Sequence, residues 1–285
     1  MQYSKEALYM GKQAKKVIGA VVGTAAAWAF AVKPRIFNKP DLSEIRKYDY
    51  ANGGFSIPEK GIPENSIPAF RAAIEHGYGI RMDVRLTRDG VPVVFSDSLV
   101  ARMCAANGSV ENSTLEELKE LRLEGTEETI PTLREALEFI DGQVPVILNV
   151  LVEDQDYDAI SDQICDVADE YEGVFAIESL DPRVLRWFRK QRREFVRGQV
   201  IDYRHSTGGA FKNLLWDFLC ASLLMNFLTE PDYISSRPDQ RYNPSLWICR
   251  CLYRVQRMNW TVRSMEAYEE VKTDGAVVVF EGIEP

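Results

Sequence analysis

The sequence predicts an α/β chain folded as a (β/α)8 barrel behind an N-terminal hydrophobic helix. Three observations carry this. From about residue 47 onward, short apolar, β-branched runs alternate with helical patterns for roughly 240 residues, the pattern of a parallel sheet with crossover helices. Helix-start signals stand between the runs. An uncharged stretch, Val17–Val32, precedes the alternation.

The N-terminal stretch reads "KKVIGAVVGTAAAWAFAVKPR". At ~1.5 Å per residue its uncharged part spans roughly 24 Å, slightly short of a ~30 Å hydrocarbon core. Flanking lysines can snorkel, so a single transmembrane helix over residues 17–32 is expected. A signal-peptide core and a buried or loosely attached amphipathic helix are the other readings. Lys15 and Lys16 precede the run and Lys33 and Arg35 follow it, which leaves the side of the membrane open. The expected organisation is a membrane anchor or uncleaved signal-like segment over 1–35, a linker over 36–46, and a barrel over 47–285.

Within the barrel, nine runs read as strands: "YDYAN", "GIRMDVRL", "VPVVFS", "VPVILNVL", "GVFAIES", "FVRGQVI", "DYISS", "NWTVR" and "GAVVVFE". A barrel has eight places, so one run is peripheral. Ser66 is placed to cap a helix with Pro68 in its first turn and Gly77 at its end. Thr114-x-x-Glu117 and Thr132-x-x-Glu135 are capping boxes. Asp181-Pro182 supplies a cap and a proline at the first helical position. Leu214–Leu228 is apolar nearly all round, which suits a heavily buried barrel helix or one lying in a membrane interface. Arg183, Arg186, Arg189 or Lys190, and Arg193 share a helical stripe, either a solvated face or a contact for anionic headgroups.

Composition narrows the function. A formal net charge of −9 argues against general nucleic-acid binding, which relies on phosphate neutralisation by Lys and Arg. The five cysteines are scattered and show no zinc spacing, and they read as reduced structural thiols.

The stretch "GIPENSIPAFRAAIEHGYGIRMDVRLTRDGVPVVFSD", followed by "IPTLREALEFIDGQVPVILNV", "AIESLDPRVLRWFRK" and "NWTV", resembles the glycerophosphodiester phosphodiesterase family. The resemblance covers essentially everything after the N-terminal stretch. It implies a phosphodiesterase-type barrel, with the site at the strand C-terminal ends, that splits glycerophosphodiesters in lipid metabolism. The family uses calcium or magnesium and two histidines for acid–base work. Pro63, Glu64 and Asn65 match its Pro-Glu-Asn motif, and Trp260, Thr261 and Val262 its Trp-Thr-Val. Arg102 matches an arginine in the loop after the third strand. The departures are larger. Ala51, Asn52, Gly53 and Gly54 stand where the family has Ala-His-Arg-Gly, and Ser96-Asp97 where it has His-Asp. Arg81-Met82-Asp83 replaces the metal-binding Glu-x-Asp, and Asn149-Val150-Leu151 replaces Glu-x-Lys.

Neither Asn52 nor Ser96 exchanges a proton near neutral pH. A calcium or magnesium site wants several oxygen ligands with more than one carboxylate, and of three expected only Asp83 remains. Residues two apart on a strand share a face, so Arg81 is expected beside Asp83, where its charge would repel a cation. No catalytic residue is intact and no metal is expected. The sequence thus favours an inactive, membrane-tethered barrel that binds a ligand or a protein partner. Two alternatives stay open, an active phosphodiesterase using Asp97, Glu64 or His205 as base, and a structural or assembly protein. Arg81 and Arg102 could meet a phosphate-containing small molecule. Arg81 could instead neutralise Asp83 and Glu64 in a closed mouth.

Overall fold

The computed structural model describes residues 2–152, 157–202 and 211–285. All nine strand candidates form: β1 (Tyr50–Asn52), β2 (Gly79–Leu86), β3 (Pro92–Val94), β4 (Val146–Val150), β5 (Phe175–Ser179), β6 (Val196–Ile201), β7 (Tyr233–Ser236), β8 (Gln256–Val262) and β9 (Val277–Phe280). Eight of them are parallel and close in the order β1-β2-β4-β5-β6-β7-β8-β9. The peripheral strand is β3, which pairs antiparallel with β2. Only Thr87–Val91 separates the two strands. A parallel crossover needs a dozen or more residues, so this connection can only make a hairpin.

The helices are α1 (Gln2–Ala31), α2 (Ser43–Arg46), α3 (Ile67–Glu75), α4 (Ala101–Cys104), α5 (Leu115–Lys119), α6 (Leu133–Ile140), α7 (Tyr157–Ala168), α8 (Pro182–Gln191), α9 (Phe211–Ala221), α10 (Asn226–Thr229), α11 (Pro244–Cys251) and α12 (Met265–Thr273). The capping signals act as expected. Both Thr114 and Thr132 form reciprocal capping boxes, and Ser66 and Asp181 accept from the backbone of the following turn.

The main core lies between strands and outer helices, where Phe70, Leu137, Ile164 and Phe188 meet Ile80, Val84, Leu148 and Ile177. A smaller core fills the barrel itself. Tyr50, Ile147, Ala176, Tyr233 and Met258 pack there, with Ile45 of α2 beneath them. Tyr50 donates to the Ile45 carbonyl at 3.0 Å, which ties α2 under the barrel floor. Two glycines make room for the tyrosines. A Cβ on Gly79 would lie 2.6 Å from the Tyr50 ring, and one on Gly198 would lie 2.2 Å from the Tyr233 ring.

The N-terminal stretch is helical, but the expected transmembrane span is corrected. Among the described residues no helix is long and apolar enough to cross a membrane. The uncharged run is short and rich in Ala and Gly, which contribute little apolar area. Its last turn is also committed to the barrel. Trp28 donates to Ser245 at 2.9 Å, Phe30 tilts on Phe227, and Val32 is fully buried against Leu246 and Cys249. Arg35 then reaches Asp232 at 3.4 Å in a buried pair.

Candidate functional site

The strand register brings the expected positions together at the C-terminal ends. Asn52 of β1 lies beside Arg81 of β2. Asp83 lies beside Asn149 of β4, and Asn149 beside Glu178 of β5. The period-two alternation of strands turns Arg81 and Asp83 to the same side, as the sequence predicts. Both are buried.

Arg81 is the centre of the arrangement. Its Nε donates to Glu178 Oε1 at 2.6 Å and its Nη1 to Asn52 Oδ1 at 2.7 Å. The same Nη1 stands 3.4 Å from Asp83 Oδ1. Its guanidinium lies over the Trp260 ring, 5.3 Å from the centroid. Burial works against the charge, but the carboxylates of Glu178 and Asp83 outweigh it and hold the guanidinium pKa above its ordinary value. Glu178 is fully buried and takes a second bond, from the Tyr233 hydroxyl at 3.0 Å. Burial beside that carboxylate pushes the Tyr233 phenol well above its usual range. A chain of Asn52, Arg81, Glu178 and Tyr233 therefore crosses the barrel interior.

Asp83 is equally committed. Its Oδ1 accepts from Asn149 Nδ2 at 2.6 Å, and its Oδ2 from the Ser96 hydroxyl at 2.7 Å. Ser96 accepts in turn from Asn65 Nδ2 at 2.7 Å. The Asn149 amide thus faces Asp83 through its nitrogen, and its oxygen has no partner among the described residues.

The rim carries a second layer of ion pairs. Arg102 donates to Glu64 and to Asp97, each at 2.5 Å. Burial raises the Glu64 carboxyl above its ordinary value, with Arg102 opposing the shift. Across the mouth, Glu281 accepts from Asn52 at 3.1 Å and from Arg263 at 3.0 Å. Among the described residues named here, three guanidinium groups face five carboxylates.

These residues do not fit a calcium or magnesium ion. Both Asp83 oxygens are occupied, the adjacent position is a guanidinium, and Asn149 turns its donor rather than its oxygen toward Asp83. Among the described residues no group of three or more His, Cys, Asp or Glu is placed to hold a metal. Of the two histidines, His76 caps α3 at the opposite end of the barrel, with Nδ1 2.8 Å from the Ala72 carbonyl. His205 lies outside the described residues.

Apart from His205, the sequence-predicted positions lie in this mouth, but the partners differ. Arg81 pairs with Asp83 and Glu178, whereas Glu64 pairs with Arg102. Glu178, Tyr233, Glu281 and Arg263 were missed. Glu178 had a signal, since an acid inside the apolar strand "VFAIES" needs a buried partner. Glu281 had a weaker one, an acid just past "AVVVF".

A profile of the glycerophosphoryl diester phosphodiesterase family matches residues 58–227, more than half of the chain. A glycerophosphodiester phosphodiesterase from Bacillus altitudinis is 27% identical over 207 residues, covering 69% of this chain and 75% of the relative. One from Caldanaerobacter subterraneus is 42% identical over 100 residues, covering 32% of this chain and only 40% of the relative. Among solved structures, a phosphodiesterase from Oleispira antarctica in complex with the product sn-glycerol-3-phosphate superposes with a TM-score of 0.67. Its identity is 20%, over 82% of this chain and 92% of that one, a likeness of fold.

Proposed function

Because the chain belongs to the glycerophosphoryl diester phosphodiesterase family, we propose that it is a non-hydrolysing member whose barrel mouth is closed by its own ion pairs and which is held at a membrane surface by α1. The observation that carries this is Arg81. Its guanidinium is buried where the family resemblance expects a metal-ligating carboxylate, and it is tied to Glu178, Asn52 and Asp83. Acid–base chemistry also lacks a carrier. The Asn52 amide bridges Arg81 and Glu281, and the Ser96 hydroxyl is spent on Asp83.

A second reading, supported by two observations, is retention of a phosphate-containing small molecule. Arg102 is half-exposed. The Oleispira relative holds sn-glycerol-3-phosphate in the same fold. Against it stands the excess of carboxylate over guanidinium in the mouth, which disfavours an anion.

Membrane attachment rests on α1. Val17, Ile18, Val21 and Val22 are exposed, with Lys15 and Lys16 exposed beside them. An apolar helical face next to lysines suits a lipid interface.

The deciding experiment is hydrolysis of glycerophosphocholine by the full chain with calcium or magnesium. The expected result is no turnover above background. Turnover that Asp83→Ala abolishes would overturn the proposal and point to an altered mechanism. Stabilisation by phosphate in a thermal titration, lost in Arg102→Ala, would move the choice to the second reading.

A further inference from the structure

We infer that the groove between α7 and α8, on the outer wall of the barrel, binds a zwitterion carrying an ammonium group and a phosphate, at a site separate from the mouth. The two helices follow β4 and β5. Ile160 and Ile164 of α7 and Val184, Leu185 and Phe188 of α8 are buried in the core beneath them. Above this apolar seam lies a cavity of about 840 Å³. Sites for small molecules span roughly 300–1,000 Å³.

The two walls carry opposite charge. Asp162 and Asp166 line one side, Arg186 and Lys190 the other, and all four are exposed. Each pair is one turn apart on its helix, where like charges repel. Pairing across the groove would relieve both walls. The helices do meet at the groove ends. Arg192 donates to Asp169 at one end. At the other, Arg183 lies over the Tyr157 ring, 5.3 Å from the centroid, and is held there by Asp181 at 2.6 Å. Between these ends, among the described residues, no ion pair joins Arg186 or Lys190 to Asp162 or Asp166. The end contacts and the apolar seam fix the spacing, so the walls stay too far apart to meet. A short molecule with a charge at each end touches both.

The lining sorts the two ends of such a molecule. Trp187 also lines the cavity and packs edge-on against Phe188, with ring centroids 5.1 Å apart. An indole beside two carboxylates favours an organic cation. Arg186 and Lys190 suit a phosphate, which takes forked bonds from a guanidinium and a further charge from an ammonium. A simple anion is attracted by one wall and repelled by the other. The basic stripe of α8 therefore divides. Arg183, Arg189 and Arg192 are tied to Asp181, Glu230 and Asp169, and Arg186 and Lys190 face the groove.

Calorimetric titration of the full chain with phosphoethanolamine at low ionic strength tests the site. The expected result is saturable binding. Arg186→Gln combined with Lys190→Gln should weaken it by about tenfold or more, and so should Asp162→Asn combined with Asp166→Asn. All four side chains are exposed, so both variants should keep the wild-type unfolding midpoint. Inorganic phosphate should bind about tenfold more weakly than phosphoethanolamine. Arg102→Ala, in the mouth, should leave the affinity within about twofold. Vesicles of mixed phosphatidylcholine and phosphatidylethanolamine separate the two sources of this chemistry. A fluorescence change on adding vesicles that is lost in Trp187→Phe and in the Arg186, Lys190 variant assigns a lipid headgroup, and the same change with phosphoethanolamine alone assigns a soluble zwitterion. Equal binding of inorganic phosphate, or loss in the basic variant but not the acidic one, reduces the groove to an anion patch and overturns the inference. Loss in Arg102→Ala also overturns it, by placing the ligand in the mouth. Absence of saturable binding overturns it without touching the reading of the mouth.

Discussion

Arg81 sits in the barrel as a cation whose burial is balanced by neighbours on three strands, and removing it isolates one of them. Glu178 is fully buried, and without the guanidinium it keeps only the Tyr233 hydroxyl. Breaking one side of a buried pair costs about 3–5 kcal/mol, whereas replacing both sides with apolar or neutral groups is often close to neutral. Arg81→Met should therefore lower stability by about that amount in urea unfolding, and Glu178→Gln in the same chain should recover most of it. A cost under about 1 kcal/mol for the single variant would mean the pair does not hold the interior together. Glu64 gives a second test, in pH. Its folded pKa is raised above the ordinary 4.5 by burial, with Arg102 opposing. A raised carboxyl favours the folded state while it is protonated, and that contribution is lost as pH rises through the folded pKa. Glu64→Gln should thus gain stability relative to wild type on going from about pH 4 to about pH 8. A difference independent of pH would show that burial does not govern this carboxyl.

At the scale of elements, the barrel floor depends on two strand glycines. Gly198 on β6 leaves the space that the Tyr233 ring of β7 occupies, so that its hydroxyl reaches Glu178. Backbone strain is not the reason, since neither Gly198 nor Gly79 has a positive φ. Space is the reason, and Gly198→Ala should cost about 3 kcal/mol or more in thermal or urea unfolding. The effect should be strongly non-additive with Tyr233→Leu, because both changes act on one volume. Additive behaviour would place the tyrosine elsewhere. Helix boundaries were legible because they rest on local chemistry. Thr114, Thr132, Ser66 and Asp181 bond within a turn of their own position, so no tertiary contact is needed to place them. The peripheral strand was also legible in principle. The five residues between β2 and β3 exclude a parallel crossover, a constraint of chain length rather than composition.

For the whole molecule, the N-terminal segment is partly appendage and partly barrel. Trp28, Val32 and Arg35 are built into the packing around α10 and α11. A chain beginning at Ala27 should fold with wild-type stability and lose vesicle binding. A chain beginning at Ile36 lacks the Val32 plug and leaves the buried Asp232 without Arg35. It should be less stable by about 3 kcal/mol or more. Equal stability of the two truncations would show that the last turn of α1 does not support the barrel. Persistent vesicle binding by the Ala27 chain would put the lipid contact on the body of the barrel.

The alternation of runs and caps by itself determined the barrel, its strands and most helix starts, because these follow from periodicity and from bonds within a turn. It also determined the resemblance, and with it the places where histidines and carboxylates are replaced. Strand parity sufficed to set Arg81 beside Asp83. What it could not supply was the partner of each charged group across the mouth. Arg81 and Glu178 are 97 residues apart and belong to strands separated by β4. Whether the guanidinium reaches Glu64 or Glu178 depends on side-chain reach across the barrel, which no local pattern encodes. The fate of the N-terminal run was decided in the same way. Its uncharged run suggests a span, yet no described helix is long and apolar enough to be one, and Trp28 and Val32 find complementary surface on α10 and α11 that only the packed tertiary structure contains.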